Sequence, residues 1–176
     1  MIEIIKLDKE AYGGKTFTLR YQTKGYYDIE STASGFDIRY KTFGAEKELS
    51  FSDVFFSEWL DDPTAFGAFE NGQLLGYVEG TLEKWNNRYR ISNICVFDSS
   101  NRYNGIGSLL MKSILSEATK CGARMVVLET QTCNENAISF YKKHGFKIIG
   151  FDLFAYSNTD QERHEVRIEM GKMIHL

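Results

Sequence analysis

Apolar and polar positions alternate over residues 26–32 and again over 36–42, with Ser34-Gly35 between them, which predicts a β-hairpin near the amino end. From 51 to 60 the apolar positions recur at helical spacing behind Ser50, a suitable N-cap. Asp61-Asp62-Pro63 stops that element, so a helix is expected there. Alternation then returns. Residues 65–70 and 73–80 flank Asn71-Gly72, a pair that accepts the positive φ of a tight hairpin turn. Residues 89–97 read as the third strand of the same meander. Ile106, Leu110, Ile114, Ala118 and Cys121 mark one buried stripe of a helix ending at Gly122. The continuous apolar run 125–128 suits a strand covered on both faces. A second helix is expected from Asn136 to Gly145, followed by strands over 146–156 and 166–173. In the last of these Val166, Ile168 and Met170 alternate against Arg167 and Glu169. An antiparallel meander followed by strand, helix, strand, helix, strand predicts a mixed α/β sheet flanked by helices.

Composition narrows the picture. With 176 residues, 43% hydrophobic and 14% aromatic, the chain suits one domain over 1–176 with a real core and is far from a disordered composition. A net charge of -3 argues against a general nucleic-acid binder. No run reaches the apolar length of a membrane span, and the first residues are too charged for a signal peptide. The three cysteines, Cys95, Cys121 and Cys133, show no Cys-x-x-Cys spacing, so neither a disulfide framework nor a metal site is expected. Reduced thiols and a cytoplasmic location fit that pattern.

Candidate chemistry begins at Arg102-Tyr103-Asn104-Gly105-Ile106-Gly107, between a strand and an amphipathic helix. Glycines let a ligand approach the main chain, successive N–H groups can converge on an anion, and the helix adds the positive end of its dipole. A dinucleotide fingerprint is missing, because Leu110 stands where the third glycine belongs. A P-loop is missing too, because no Gly-Lys-Ser/Thr follows. What remains is a pyrophosphate held mainly by backbone, with Arg102 as charged partner and Ser108 in the first helical turn. One strand later comes Asn134-Glu135-Asn136-Ala137-Ile138-Ser139-Phe140-Tyr141, then Gly145-Phe146.

These two motifs resemble those of the GNAT family of acetyl-coenzyme A-dependent N-acetyltransferases. Arg102, Gly105 and Gly107 match its Arg/Gln-x-x-Gly-x-Gly/Ala loop. Asn134, Ala137, Phe140, Tyr141, Gly145 and Phe146 match its later Asn-x-x-Ala-x-x-Phe-Tyr…Gly-Phe motif. The stretches Arg90-Ile91-Ser92-Asn93-Ile94, Leu128-Glu129-Thr130-Gln131 and Ala155-Tyr156-Ser157-Asn158 look like the streptothricin acetyltransferases within it. The resemblance implies a GNAT fold, a central mixed sheet of about six to seven strands with an extra amino-terminal hairpin. It also implies acetyl-coenzyme A as cofactor, a small-molecule amine as acceptor and a homodimer as the assembly. Ile94, Cys95 and Val96 would then line the pantetheine arm, and the amide of Cys95 or Val96 would meet the charge that grows on the thioester oxygen. Asn134 and Ala137 would hold the pantetheine further along.

A primary amine is largely protonated near neutral pH and must lose a proton before it attacks. The relative placement of Glu129 and Tyr141 resembles the acid-base pair of ribosomal-protein alanine acetyltransferases, which implies Glu129 as base and Tyr141 as acid to the departing thiolate. Glu79 is the rival base, with a solvated rim carboxylate as its plainer reading. Glu129 has its own plain reading, a helix cap or a partner of Arg124. Trp85, Tyr89 and Tyr156 are candidate aromatic walls for a cationic amine, assisted by Glu83 or Asp152. Two other functions stay open: acetylation of a peptide amine or polyamine, and a non-catalytic acyl-coenzyme A-binding regulatory module.

Overall fold

The computed structural model describes residues 1–97 and 105–174, so Asp98, Arg102, Tyr103 and Asn104 lie outside the described residues. In chain order the elements are β1 (Glu3–Lys6), α1 (Lys9–Tyr12), β2 (Thr16–Thr32), β3 (Gly35–Val54), β4 (Thr64–Glu70), β5 (Gln73–Glu83), β6 (Arg88–Val96), α2 (Ile106–Lys120), β7 (Met125–Gln131), α3 (Glu135–Lys143), β8 (Lys147–Asp152), α4 (Asp160–Arg163) and β9 (Arg167–Met173). Seven strands form a mixed sheet in the order β1-β4-β5-β6-β7-β9-β8, and β2 with β3 forms the separate amino-terminal hairpin. The chain gathers into two compact units. Unit one holds Met1–Leu19, Ser50–Val127 and the end of the chain from Met173; unit two holds Arg20–Leu49 and Leu128–Lys172. No helix among the described residues is long and apolar enough to cross a membrane.

Unit one is built on the antiparallel run β1-β4-β5-β6. Asn71 and Gly72 both take positive φ, which closes the β4–β5 hairpin as the Asn-Gly pair predicts. Helix α2 buries Ile106, Leu110, Met111, Ile114 and Ala118 and packs on β4, β5 and β6. The predicted stripe ends one turn early. Cys121 is the exposed C-cap of α2 and not part of its buried face. A second core is aromatic. Phe55 lies edge-on to Phe17 at 5.1 Å and to Tyr77 at 4.5 Å between ring centres, an arrangement that adds about 0.5–1.5 kcal/mol per pair to area burial.

The helix expected over 51–60 does not form. Residues up to Val54 continue β3, Thr18 and Ser52 share a hydrogen bond of 2.8 Å, and the Phe55 amide donates to the Lys15 carbonyl at 2.9 Å. Pairing with β2 satisfies these backbone groups, so the long-range ladder overrides the local helical spacing. Phe56 then adopts φ 56°, which turns the chain out of the strand and leaves Phe55, Phe56 and Ser57 buried.

Unit two combines the outer part of the hairpin with the end of β7, α3, β8, α4 and β9. The hairpin turns at Ala33-Ser34, one residue before the expected Ser34-Gly35, and its strands run well beyond the predicted limits. It is tied down within the unit: the Tyr27 amide donates to the Thr132 carbonyl at 3.1 Å, and the Tyr26 ring stacks on His164 at 3.8 Å. Helix α3 starts one residue before the predicted Asn136. The Asn134 side chain caps it, accepting from the Ala137 amide at 3.3 Å.

Candidate functional site

In unit one, β6 precedes the glycine motif in the chain and α2 starts within it. Gly105 is the N-cap of α2 with φ 79° and ψ 0°, a left-handed conformation that costs a glycine nothing, and among the described residues no side chain caps the helix. An uncapped N-terminus reached through a glycine has no Cβ in the way of an approaching anion and presents the positive end of the dipole. Behind it Ile106 is fully buried, Gly107 half-buried and Ser108 exposed. The residues present therefore fit a pyrophosphate. On β6, Ile94, Cys95 and Val96 stand opposite Val78, Tyr77 and Gly76 of β5, with Ile94 half-buried and the other two buried.

Two residues further back, β6 carries an extra residue. Glu79 pairs with Asn93 and Gly80 with Ile91, so Ser92 is bulged out of register. A side chain at Gly80 would place its Cβ 2.6 Å from the Arg90 carbonyl oxygen, which is why only glycine fits this close approach. The bulge brings a polar cluster together. Ser92 Oγ donates to Glu79 Oε1 at 2.8 Å, the Tyr77 hydroxyl donates to Glu79 Oε2, and the Phe56 amide donates to the Tyr77 hydroxyl at 3.0 Å. Burial, and after it the Glu79 carboxylate, holds the Tyr77 hydroxyl far above the ordinary phenol range. Beside them the Asn93 amide donates to Asp53 at 3.0 Å. Glu79 is 0% exposed, so it is not the solvated rim carboxylate its position near a strand end suggests.

The predicted aromatic walls of unit one separate. Trp85 is 84% exposed on the β5–β6 turn and lines a groove of roughly 420 Å³ with Trp59, Leu60 and Arg90. Tyr89 is buried and donates its hydroxyl to the Gly80 carbonyl at 3.1 Å, so it packs inside and forms no open wall. Glu83 also lines the groove, but Arg90 at 2.5 Å and Arg88 at 3.2 Å engage it. Burial works against its charge, yet these partners and Asn86 hold its carboxyl below the usual range.

In unit two, Tyr141 sits on α3, 8% exposed, packed between Phe140 and Phe146. Its preceding motif residues Asn134 and Ala137 form the cap that starts the helix, so that hydrogen bond occupies the Asn134 side-chain oxygen Oδ1. Glu129, at 42% side-chain exposure, meets Arg167 at 3.7 Å and lies 3.5 Å from the Tyr156 hydroxyl, which accepts from Gln131 at 3.3 Å. Asp152 reaches the same Arg167 at 3.4 Å and stands opposite it in the β8–β9 ladder. Three sequence candidates, Glu129, Asp152 and Tyr156, thus come together around one arginine. The partner of Glu129 is Arg167 and not Arg124, whose guanidinium donates to the Asn86 carbonyl. Burial, then the charge of Glu129, pushes the Tyr156 hydroxyl up to about 12.

Tyr77 and Ser92 in unit one and Arg167 in unit two are the members that sequence reading missed. Their signals were weak: Tyr77 and Glu79 share strand parity, whereas alternation marked Arg167 only as facing away from Ile168.

Residues 32–146 match the Acetyltransferase (GNAT) family. The streptothricin acetyltransferase of Escherichia coli is 29% identical over 139 residues, 79% of this chain and 77% of its own. A crystal structure of nourseothricin acetyltransferase superposes with a TM-score of 0.77 at 25% identity, covering 98% of each chain. A Bacillus anthracis str. Ames protein provisionally named a streptothricin acetyltransferase, solved with acetyl coenzyme A, gives a TM-score of 0.75 at 21% identity over 99% of each chain.

Proposed function

This chain belongs to the acetyltransferase (GNAT) family, and from that premise we propose that it moves an acetyl group from acetyl-coenzyme A directly to a primary amine of streptothricin or a closely similar antibiotic. Acetyl transfer itself follows from the family. The acceptor rests on one observation: the likeness to nourseothricin acetyltransferase runs over 98% of both chains, amino-terminal hairpin included. Inactivation of such an antibiotic would be the physiological outcome.

When bound, acetyl-coenzyme A supplies an activated thioester. Gly105, Ile106, Gly107 and Ser108, with Arg102, Tyr103 and Asn104 ahead of them, are assigned to its pyrophosphate. The start of α2, with a left-handed glycine as its N-cap, supports that role. Ile94, Cys95 and Val96 are assigned to the pantetheine arm, with Asn134 and Ala137. An amide of Cys95 or Val96 stabilises the charge growing on the carbonyl oxygen. Tyr141 protonates the departing thiolate.

Two carboxylates are offered for the proton of the acceptor ammonium. Resemblance gives that role to Glu129, which is accessible. Its ion pair with Arg167, shared with Asp152, supports a different role, reading the positive charge of the acceptor beside the Tyr156 ring. Glu79 is buried, accepts two hydrogen bonds and has no cationic partner among the described residues, which supports it as the base. Trp85 is kept as an acceptor contact at the edge of its groove.

Thiol release from acetyl-coenzyme A, measured with streptothricin, simple polyamines and peptide amines, tests the assignment. Fast release with streptothricin alone is the expected result. Faster release with a peptide amine or polyamine would move the acceptor class, and cofactor binding without release on any amine would point to a regulatory module.

A further inference from the structure

We infer that Ser92 is the accessible end of a proton relay that carries the acceptor's proton to the buried carboxylate of Glu79, an inference that rests on the N-acetyltransferase reading above. The Tyr77 oxygen already accepts from the Phe56 amide, so its own proton points to Glu79 Oε2. Ser92 points its proton to Oε1 at 2.8 Å. Both carboxylate oxygens thus accept from a neutral hydroxyl. Among the described residues no cation meets this carboxylate, so its charge is balanced only by neutral donors, and a proton delivered to it relieves the cost of burying that charge.

Glu79 itself reaches no solvent, but Ser92 is half-buried at the bulge. With its proton turned inward, the Ser92 oxygen presents lone pairs outward and can accept a hydrogen bond from an ammonium. The transfer balances in one step. The ammonium N–H bond breaks and its proton forms a new bond to Ser92 Oγ, while the original Ser92 proton passes to Glu79 Oε1. The products are a neutral amine, an intact serine and a neutral carboxyl group. Once the acetylated product leaves, the proton returns to solvent along the same path.

Other groups near this carboxylate shape the profile: Tyr77 from β5, Tyr89 from β6, and Asn93, which stands opposite Glu79 in the ladder and donates to Asp53 of β3. Tyr77 is a positioning residue here, because its hydroxyl fixes Oε2 and leaves Oε1 to the serine. Gly80 is another, since the close approach it permits creates the bulge that lifts Ser92 out of register.

The test is kcat/KM for amine acetylation against pH in wild type, Ser92→Ala and Ser92→Thr. Ser92→Ala should lower kcat/KM by about tenfold to a hundredfold near neutral pH, and the deficit should shrink above about pH 10, where the amine is already neutral and needs no relay. Ser92→Thr, which keeps the hydroxyl, should stay within about threefold of wild type. A structural role for Ser92 would give a deficit independent of pH. That outcome, or wild-type kinetics in Ser92→Ala, overturns the relay while leaving acetyl transfer standing. Absence of turnover in the wild type would overturn both. Since Glu79 is buried and its replacement can unfold the protein, Tyr77→Phe provides the second variant. It should shift the same pH profile with acetyl-coenzyme A affinity unchanged, and an unmoved profile would count against the relay.

Discussion

The two carboxylates that compete for one chemical task live in opposite surroundings. In unit one Glu79 is sealed among neutral donors, Tyr77 and Ser92, with no cation beside it among the described residues. In unit two Glu129 is half-exposed and shares Arg167 with Asp152, near the Tyr156 hydroxyl. Neutral donors in a buried setting leave a negative charge available for a proton. An arginine already beside a carboxylate spends part of that attraction, and water screens the rest. The same residue type is therefore suited to taking a proton in one place and to reading a charge in the other.

The largest expected effect breaks this contrast at its source. Glu79→Gln should lower kcat/KM by about a hundredfold, roughly 2.7 kcal/mol, whereas Glu129→Gln should lower it by about tenfold or less. Steady-state thiol release measures both, on variants whose urea denaturation midpoints match wild type, and a reversed ranking would return the base to Glu129. Next comes the bulge. Gly80→Ala forces a Cβ to 2.6 Å from the Arg90 carbonyl oxygen and should destabilise the protein by about 1–3 kcal/mol in urea denaturation. Tyr141→Phe should reduce kcat about tenfold with little change in acetyl-coenzyme A affinity, because a general acid acts in the transition state. Unchanged turnover would remove Tyr141 as the acid.

Smaller effects sharpen the unit-two side. Arg167→Gln leaves Glu129 and Asp152 without their shared cation, so KM for a cationic acceptor should fall about two- to fivefold at low salt and recover as salt rises. A KM that ignores salt would argue against charge reading by this cluster. The smallest concerns Tyr156, whose hydroxyl is pushed from 10.0 up to about 12 by burial and then by Glu129. Between those values the folded state keeps a proton that the unfolded chain has lost, so stability is full below pH 10 and falls as pH rises through about 12. Tyr156→Phe should show a shallower alkaline decline than wild type in denaturation midpoints taken across that window.

Much of this was legible in the chain itself. Asn71-Gly72, the stripe from Ile106 to Ala118 and the alternation of Val166, Ile168 and Met170 each follow one period and one turn chemistry, and the elements form as read. The segment 51–60 misled because its helical spacing is local, while its partner strand lies at Lys15 and Thr18. Glu79 looked like a rim group for a related reason. Its burial depends on a bulge in the next strand and on Phe56 reaching Tyr77, neither of which has a local signal. Tyr89 and Tyr156 were equivalent in the sequence, and only packing separates the interior ring from the one beside Glu129.

Direct transfer can be followed with acetyl-coenzyme A labelled in its acetyl group, by mass spectrometry of protein and amine from one reaction with streptothricin. The account predicts one labelled acetyl group on the antibiotic and none retained by the protein. Label held on the protein, or a streptothricin mass that does not change, would contradict it.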